Sequence, residues 1–189
     1  MSELLERFAA DHRRLKRLLF VLRAQLDRFD DDTDPDYDRL LALLEYIADY
    51  GDQWHHPAED RAFALLDPAR LTAEQSKALE RVTQQHRELP RLARGVREDL
   101  EAVMRGMVVP RSKLEDDASS YLSQQIEHLA LEDDVLFPAL AEQLDEEQWA
   151  ALDKAMATPG DPLFDARDGA AFERQYYDIL EAEHGSDET

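Results

Sequence analysis

Two stretches of the chain repeat one chemical pattern. His12 is followed by His55-x-x-x-Glu59, and His86 is followed at nearly the same interval by His128-x-x-x-Glu132. A histidine four residues before a glutamate sets imidazole and carboxylate one above the other on one face of a helix. Four imidazoles and two carboxylates repeated in this way form a donor set for a pair of metal ions. Imidazole with carboxylate and no thiolate suits iron, manganese or zinc, and two bridging carboxylates suit a dinuclear centre with metals about 3.5 to 4 Å apart. Glu59 and Glu132 are the expected bridges. His12 and His86 come from segments that contribute no carboxylate, so each is expected to complete one metal's imidazole set.

The elements that position these residues are helices. Leu5, Phe8, His12, Leu15, Leu19, Leu22, Leu26 and Phe29 follow at steps of three and four, the inward stripe of a bundle helix. The same stepping runs through Leu44, Ala48, Gly51, His55, Glu59 and Ala62; through Val82, His86, Leu89, Ala93 and Val96; and through Ala118, Tyr121, Gln125, His128, Glu132 and Val135. Start signals are read at Asp34-Pro35, as an N-cap followed by proline, and at Thr72-x-x-Gln75 and Ser112-x-x-Glu115 as capping boxes. Four long helices are predicted over roughly 3 to 30, 36 to 66, 73 to 106 and 113 to 143. Short connections make this an all-α, up-down-up-down four-helix bundle. At about 1.5 Å per residue the six donors differ in height by roughly one to two turns, so all converge on one layer. The expected division is a bundle over 1–144 and an acidic helical extension over 145–189 that packs on it. That extension holds a short helix from Asp145 to about Met156, a turn at Pro159-Gly160-Asp161-Pro162, a last helix near 168 to 183 and a solvated end at Gly185–Thr189.

Composition narrows the partners. Asp and Glu number 43 against 22 Lys and Arg, a formal charge of -21 over 189 residues. Such a charge repels nucleic acid and anionic lipid surfaces alike. There is no cysteine, which excludes disulfides, thiolate metal sites and cysteine nucleophiles. With neither a leader pattern nor an apolar run of about 18 residues, a cytoplasmic protein is expected.

Burying six polar or ionisable side chains on four apolar stripes without partners would cost several kcal/mol for each charged group. Metal ions remove that cost. The order His, His-x-x-x-Glu, His, His-x-x-x-Glu, with His55-His56-Pro57-Ala58-Glu59-Asp60 and Glu132-Asp133-Asp134-Val135-Leu136-Phe137-Pro138, resembles the hemerythrin-like (HHE cation-binding) domains over roughly residues 1 to 143. The resemblance implies a hemerythrin-like bundle with a non-heme diiron site. Its ligands would be His12, His55, Glu59, His86, His128 and Glu132, holding two iron ions bridged by carboxylates and by an oxo or hydroxo group. It further implies binding of O2 or NO for sensing, storage or stress response. The alternative is a diiron oxidoreductase acting on peroxide or NO, or a protein that repairs iron centres; a structural bundle holding zinc is a third reading. Oxygen-carrying hemerythrins have a further histidine four residues after the helix 3 ligand, where this chain has Pro90. That difference implies an extra exchangeable position on one iron.

The neighbouring residues have their own expectations. His56 and Asp60 also stand four apart, but about 100 degrees off the stripe, and are read as supporting or surface residues. Pro57 cannot donate to the carbonyl of Gln53, so the helix is expected to kink or bulge there. Tyr121, Gln124 and Gln125 read as core polar packing within reach of a ligand. Gly51 and Ala48 leave room for a small-gas pocket or for close helix packing, and His184 reads as a solvated tail residue.

Overall fold

The computed structural model describes residues 2–30, 35–156 and 166–181. These residues form helices and no strand. Two arms of the bundle are continuous, α1 (Glu3–Asp30) and α4 (Ala73–Met104). The other two are composite. The second arm joins α2 (Tyr37–Tyr46), a π-helical stretch (Ile47–His55) and α3 (His56–Phe63). The fourth joins α5 (Arg111–Leu131), a π-helical turn (Glu132–Leu136) and α6 (Phe137–Gln143). Then come α7 (Glu146–Met156) and α8 (Ala166–Glu181).

Cross-helix pairs give the direction of each arm. Gln25 accepts from the Asp36 amide while His12 meets Glu59, so α1 and the second arm are antiparallel. Lys113 pairs with Asp99 and Arg81 with Glu127, which makes α4 and α5 antiparallel too. Neighbours run α1, α2, α4, α5 and back to α1, the predicted up-down-up-down bundle. Its core fills with Phe8, Leu18, Leu22, Leu43, Leu44, Leu89 and Leu100. α8 lies against α1 and α2, where buried Arg39 donates from Nε to the carbonyl of Ile179 at 2.9 Å. A cation on the last carbonyls of a helix satisfies groups that have no intrahelical partner. No helix among the described residues is long and apolar enough to cross a membrane.

Two start signals are corrected. α2 is capped by Asp36, whose carboxylate accepts from the Arg39 amide at 3.0 Å; Pro35 precedes the helix, and Asp34 lies outside the described residues. Ser112 is inside α5, which begins at Arg111 after Pro110, so it caps nothing. The reciprocal box of Thr72 and Gln75 is present, and Asp145 with Gln148 forms another at the start of α7. The turn at Pro159–Pro162, His184 and the chain end at Gly185–Thr189 fall outside the described residues.

The expected bulge at Pro57 is a π-helical segment, and a second one precedes Pro138. In both arms the residue just before the proline donates its amide five residues back: His56 to the Gly51 carbonyl and Phe137 to that of Glu132. Proline has no amide hydrogen for the ordinary four-back bond, so the wider turn carries the helix past it. In the second arm the expected His55, Glu59 and Ala62 stay buried through the wide turn, whereas in the fourth the buried face advances by one residue. After Glu132 the buried residue is Leu136 in place of the predicted Val135.

Candidate metal centre

The six predicted donors meet in the interior where both π-helical segments face α1 and α4. His12, His55, Glu59, His128 and Glu132 are at most 1 % exposed, and the His86 side chain is 5 % exposed. Glu59 Oε1 lies 3.1 Å from Nε2 of His12 and 3.1 Å from Nε2 of His55, while its Oε2 lies 3.8 Å from His86 Nε2. Glu132 makes the converse set: Oε2 is 3.4 Å from His12 Nε2 and 3.2 Å from His128 Nε2, and Oε1 is 3.3 Å from His86 Nε2. Each carboxylate therefore spans imidazoles from three arms.

A fifth imidazole belongs to the cluster. His56 is 4 % exposed, and it groups with Glu59, His86 and His128 so that one donor atom from each lies within 4.8 Å of the others. His12, His55 and Glu59 form a second group by the same measure. Glu59 is common to both. Burial excludes the surface reading of His56 and puts its ring within reach of the same donors. On a uniform α-helix His55 and His56 stand about 100 degrees apart, yet both are buried, as adjacent Leu43 and Leu44 are on α2: the arm turns a face inward wide enough for both. The signal in the sequence was the adjacent pair itself, two histidines side by side at the inward stripe.

Four aspartates face the cluster from outside. Asp133 Oδ1 accepts from His12 Nδ1 at 2.8 Å, and Asp60 Oδ1 from His86 Nδ1 at 2.8 Å. Asp52 Oδ1 stands 3.3 Å from His56 Nδ1, and Asp11 Oδ2 3.5 Å from His55 Nδ1. At His12 and His86 the hydrogen-bonded carboxylate fixes the ring and its tautomer and leaves Nε2 as the basic donor. Asp60 was expected beside His56; it pairs across the bundle with His86. Tyr121 and Gln125 satisfy one another, amide to hydroxyl at 3.0 Å, as core polar packing.

Electrostatics follow from this arrangement. Burial pulls the His12 imidazole down, but hydrogen bonds to Asp133 and Glu59 outweigh it and hold its pKa at about 9. Burial is likewise outweighed at His86, by Asp60 and Glu132, giving about 9, and at His55 by Glu59 and Asp11. His56 and His128 are lowered, both chiefly by burial. Glu59 stays well below the usual carboxylate range because His55 and His12 overcome its burial. Glu132 is pushed up to about 7 by burial and by Glu59. The metal-free cluster thus spreads protons over groups that all aim at one volume.

Several of those atoms have no hydrogen-bond partner in the protein: Nε2 of His55, His86 and His128, Oε2 of Glu59, and both carboxylate oxygens of Glu132. Buried polar atoms are normally paired, and leaving one unpaired costs about 1–3 kcal/mol. Nitrogen and oxygen donors converging in this number fit metal cations.

A helical bundle whose interior presents five imidazoles and two carboxylates defines a cation-binding class of protein. The sequence matches the hemerythrin HHE cation-binding domain over residues 3–140, and the chain belongs to that family. Comparison with curated proteins and with solved structures gave no match.

Proposed function

We propose that the chain holds two iron ions and binds O2 or NO at them. The observation that carries this reading is the sharing of Glu59 between two imidazole groups, His12 with His55 on one side and His56, His86 and His128 on the other. A carboxylate common to two donor sets is what a dinuclear centre uses as a bridge, and Glu132, in reach of His12, His86 and His128, acts as the second. When bound, the iron pair supplies an exchangeable coordination position and reversible one-electron chemistry. The chain's own residues orient and insulate that pair. Asp133 and Asp60 hold the His12 and His86 rings by hydrogen bonds, and Phe8 and Phe137 close the α1 side, the Phe137 ring stacking on His12 at 4.8 Å between centroids.

His56 bears on the choice between binding and turnover. Pro90 was expected to leave one iron an extra open position, but a fifth imidazole reaches that side from the second arm. A fuller donor set favours ligand binding over the alternative of an oxidoreductase.

Elemental analysis after iron-replete expression is the test, with Mössbauer spectra of the loaded protein. Two irons per chain in a coupled pair are expected. One metal per chain, or zinc retained in preference to iron, overturns the reading.

A further inference from the structure

A surface groove of about 420 Å³ opens between the end of α3 and α4. Phe63, Ala64 and Leu79 give it apolar surface, and Thr83 and His86, one turn apart, line it from α4. Asp60 and Arg87, both exposed, bring charges of opposite sign to it.

His86 belongs to this groove and to the metal cluster at once. Its Nε2 faces Glu132 at 3.3 Å and Glu59 at 3.8 Å, and its Nδ1 donates to Asp60 at 2.8 Å. A single imidazole is therefore the partition between solvent and the buried donors. His12, the other donor on an arm without a bridging glutamate, is held more firmly: Phe137 stacks on its ring, and the Asp133 that holds it is tied in turn to Lys16. The Asp60 carboxylate has no partner but His86 among the described residues, and its side chain is 52 % exposed against 23 % for Asp133. Turning the His86 ring outward breaks that one hydrogen bond and no other, because Nε2 has no hydrogen-bond partner in the metal-free protein. A hydrated divalent cation, whose waters take about 30 Å³ each, fits the groove.

We propose that metal ions enter and leave the centre here: Asp60 and the outward-turned His86 form a transient loading site for a divalent cation, and return of the ring delivers the cation to Glu59 and Glu132. The proposal rests on the metal reading above. Arg87 repels the arriving cation, so its charge is a brake on entry that Asp60 offsets.

The test follows rates of metal exchange in the full chain. Metal-free protein is mixed by stopped flow with cobalt(II), which does not oxidise on mixing, and release is read by mixing the loaded chain with excess EDTA. Ala64→Trp puts bulk into the groove at an exposed residue that is none of the donors. An obstruction in a passage raises the barrier in both directions and leaves the end states alone, so uptake and release should both slow about tenfold while affinity stays within about twofold. Arg87→Gln keeps the length and removes the charge. Uptake should quicken about threefold at low ionic strength, and the gain should vanish in 1 M salt, where charges are screened within about 3 Å. Ser123→Trp, at an exposed position on α5, should exchange metal at wild-type rates. Wild-type rates in Ala64→Trp, equal slowing in Ser123→Trp, or no gain in Arg87→Gln overturns the proposal. A wild-type chain that takes up neither cobalt nor iron defeats the metal reading, whereas full loading at rates that none of these substitutions alters defeats the entry route alone.

Discussion

The rings of His56 and His86 stack with centroids 4.5 Å apart and planes 17° from parallel. The two residues come from different arms, His56 from the second arm just after its π-helical stretch and His86 from α4. His128 stands edge-on to both, 5.1 Å from His56 and 4.9 Å from His86. Three imidazoles thus surround one side of the cluster and two, His12 and His55, the other.

His56→Ala leaves two imidazoles on each side, so the ion on the His86 and His128 side should bind more weakly than in the unaltered chain, and the ion with His12 and His55 should be little changed. Titration of the metal-free variant followed by calorimetry reads both affinities directly. Retention of both metals at wild-type affinity would remove His56 from the donor set and return it to a supporting role.

A second prediction concerns Asp133, which holds His12 through Oδ1 and Lys16 through Oδ2. Asp133→Asn keeps the shape but weakens the acceptor on Nδ1, so His12 becomes a poorer donor at Nε2. Loss of an outer carboxylate of this kind typically costs 10–100-fold in metal affinity. Competition against a chelator of known affinity should show a drop in that range for Asp133→Asn. Lys16→Ala, at an exposed residue, should change it much less. Equal effects of the two substitutions would mean that Asp133 acts through surface charge and not through the His12 ring.

The bundle and most of its donors were legible in the sequence because both depend on one period. Apolar residues at steps of three and four identify the inward face, and a histidine or glutamate on that face must be buried wherever the helix is regular. His56 escaped because a single stripe is narrower than the inward face, on which adjacent residues such as Leu43 and Leu44 are both buried. The missing amide of Pro57 foretells a distortion, but which residues the widened turn leaves buried depends on how it relaxes. Val135 and Leu136 in the fourth arm repeat the lesson at Pro138. The aspartates were hidden for a different reason. Asp133 serves His12 and Asp60 serves His86, and such pairs depend on how arms approach one another in space, which no local spacing encodes. Asp52 with His56 is the exception, a four-residue pair within one arm that the sequence does display.

The last prediction follows from protons that compete with metal for the same nitrogens. In the metal-free protein the pKa of His12 and of His86 stands at about 9, above the ordinary 6.5, with His55 raised as well. A group whose pKa rises on folding stabilises the folded state fully below its unfolded value, and that contribution is lost as pH climbs through the folded value. His56 and His128 are shifted the other way, so their effect on stability is complete once pH exceeds about 6.5. Glu59, lowered by its imidazole neighbours, is charged throughout and contributes no slope there. Glu132, raised to about 7, adds to the loss only at the start of the window. Between pH 6.5 and 9 the metal-free chain should therefore lose stability, on the order of a few kcal/mol. Metal binding runs in the opposite sense, because each ion must displace protons from Nε2 and gains affinity as they leave. The gap in melting temperature between loaded and metal-free protein should widen steadily from pH 6.5 to 9. Thermal scans of both forms at half-unit steps measure it, and a gap that narrows over this window would show that the imidazoles of the empty site are already neutral.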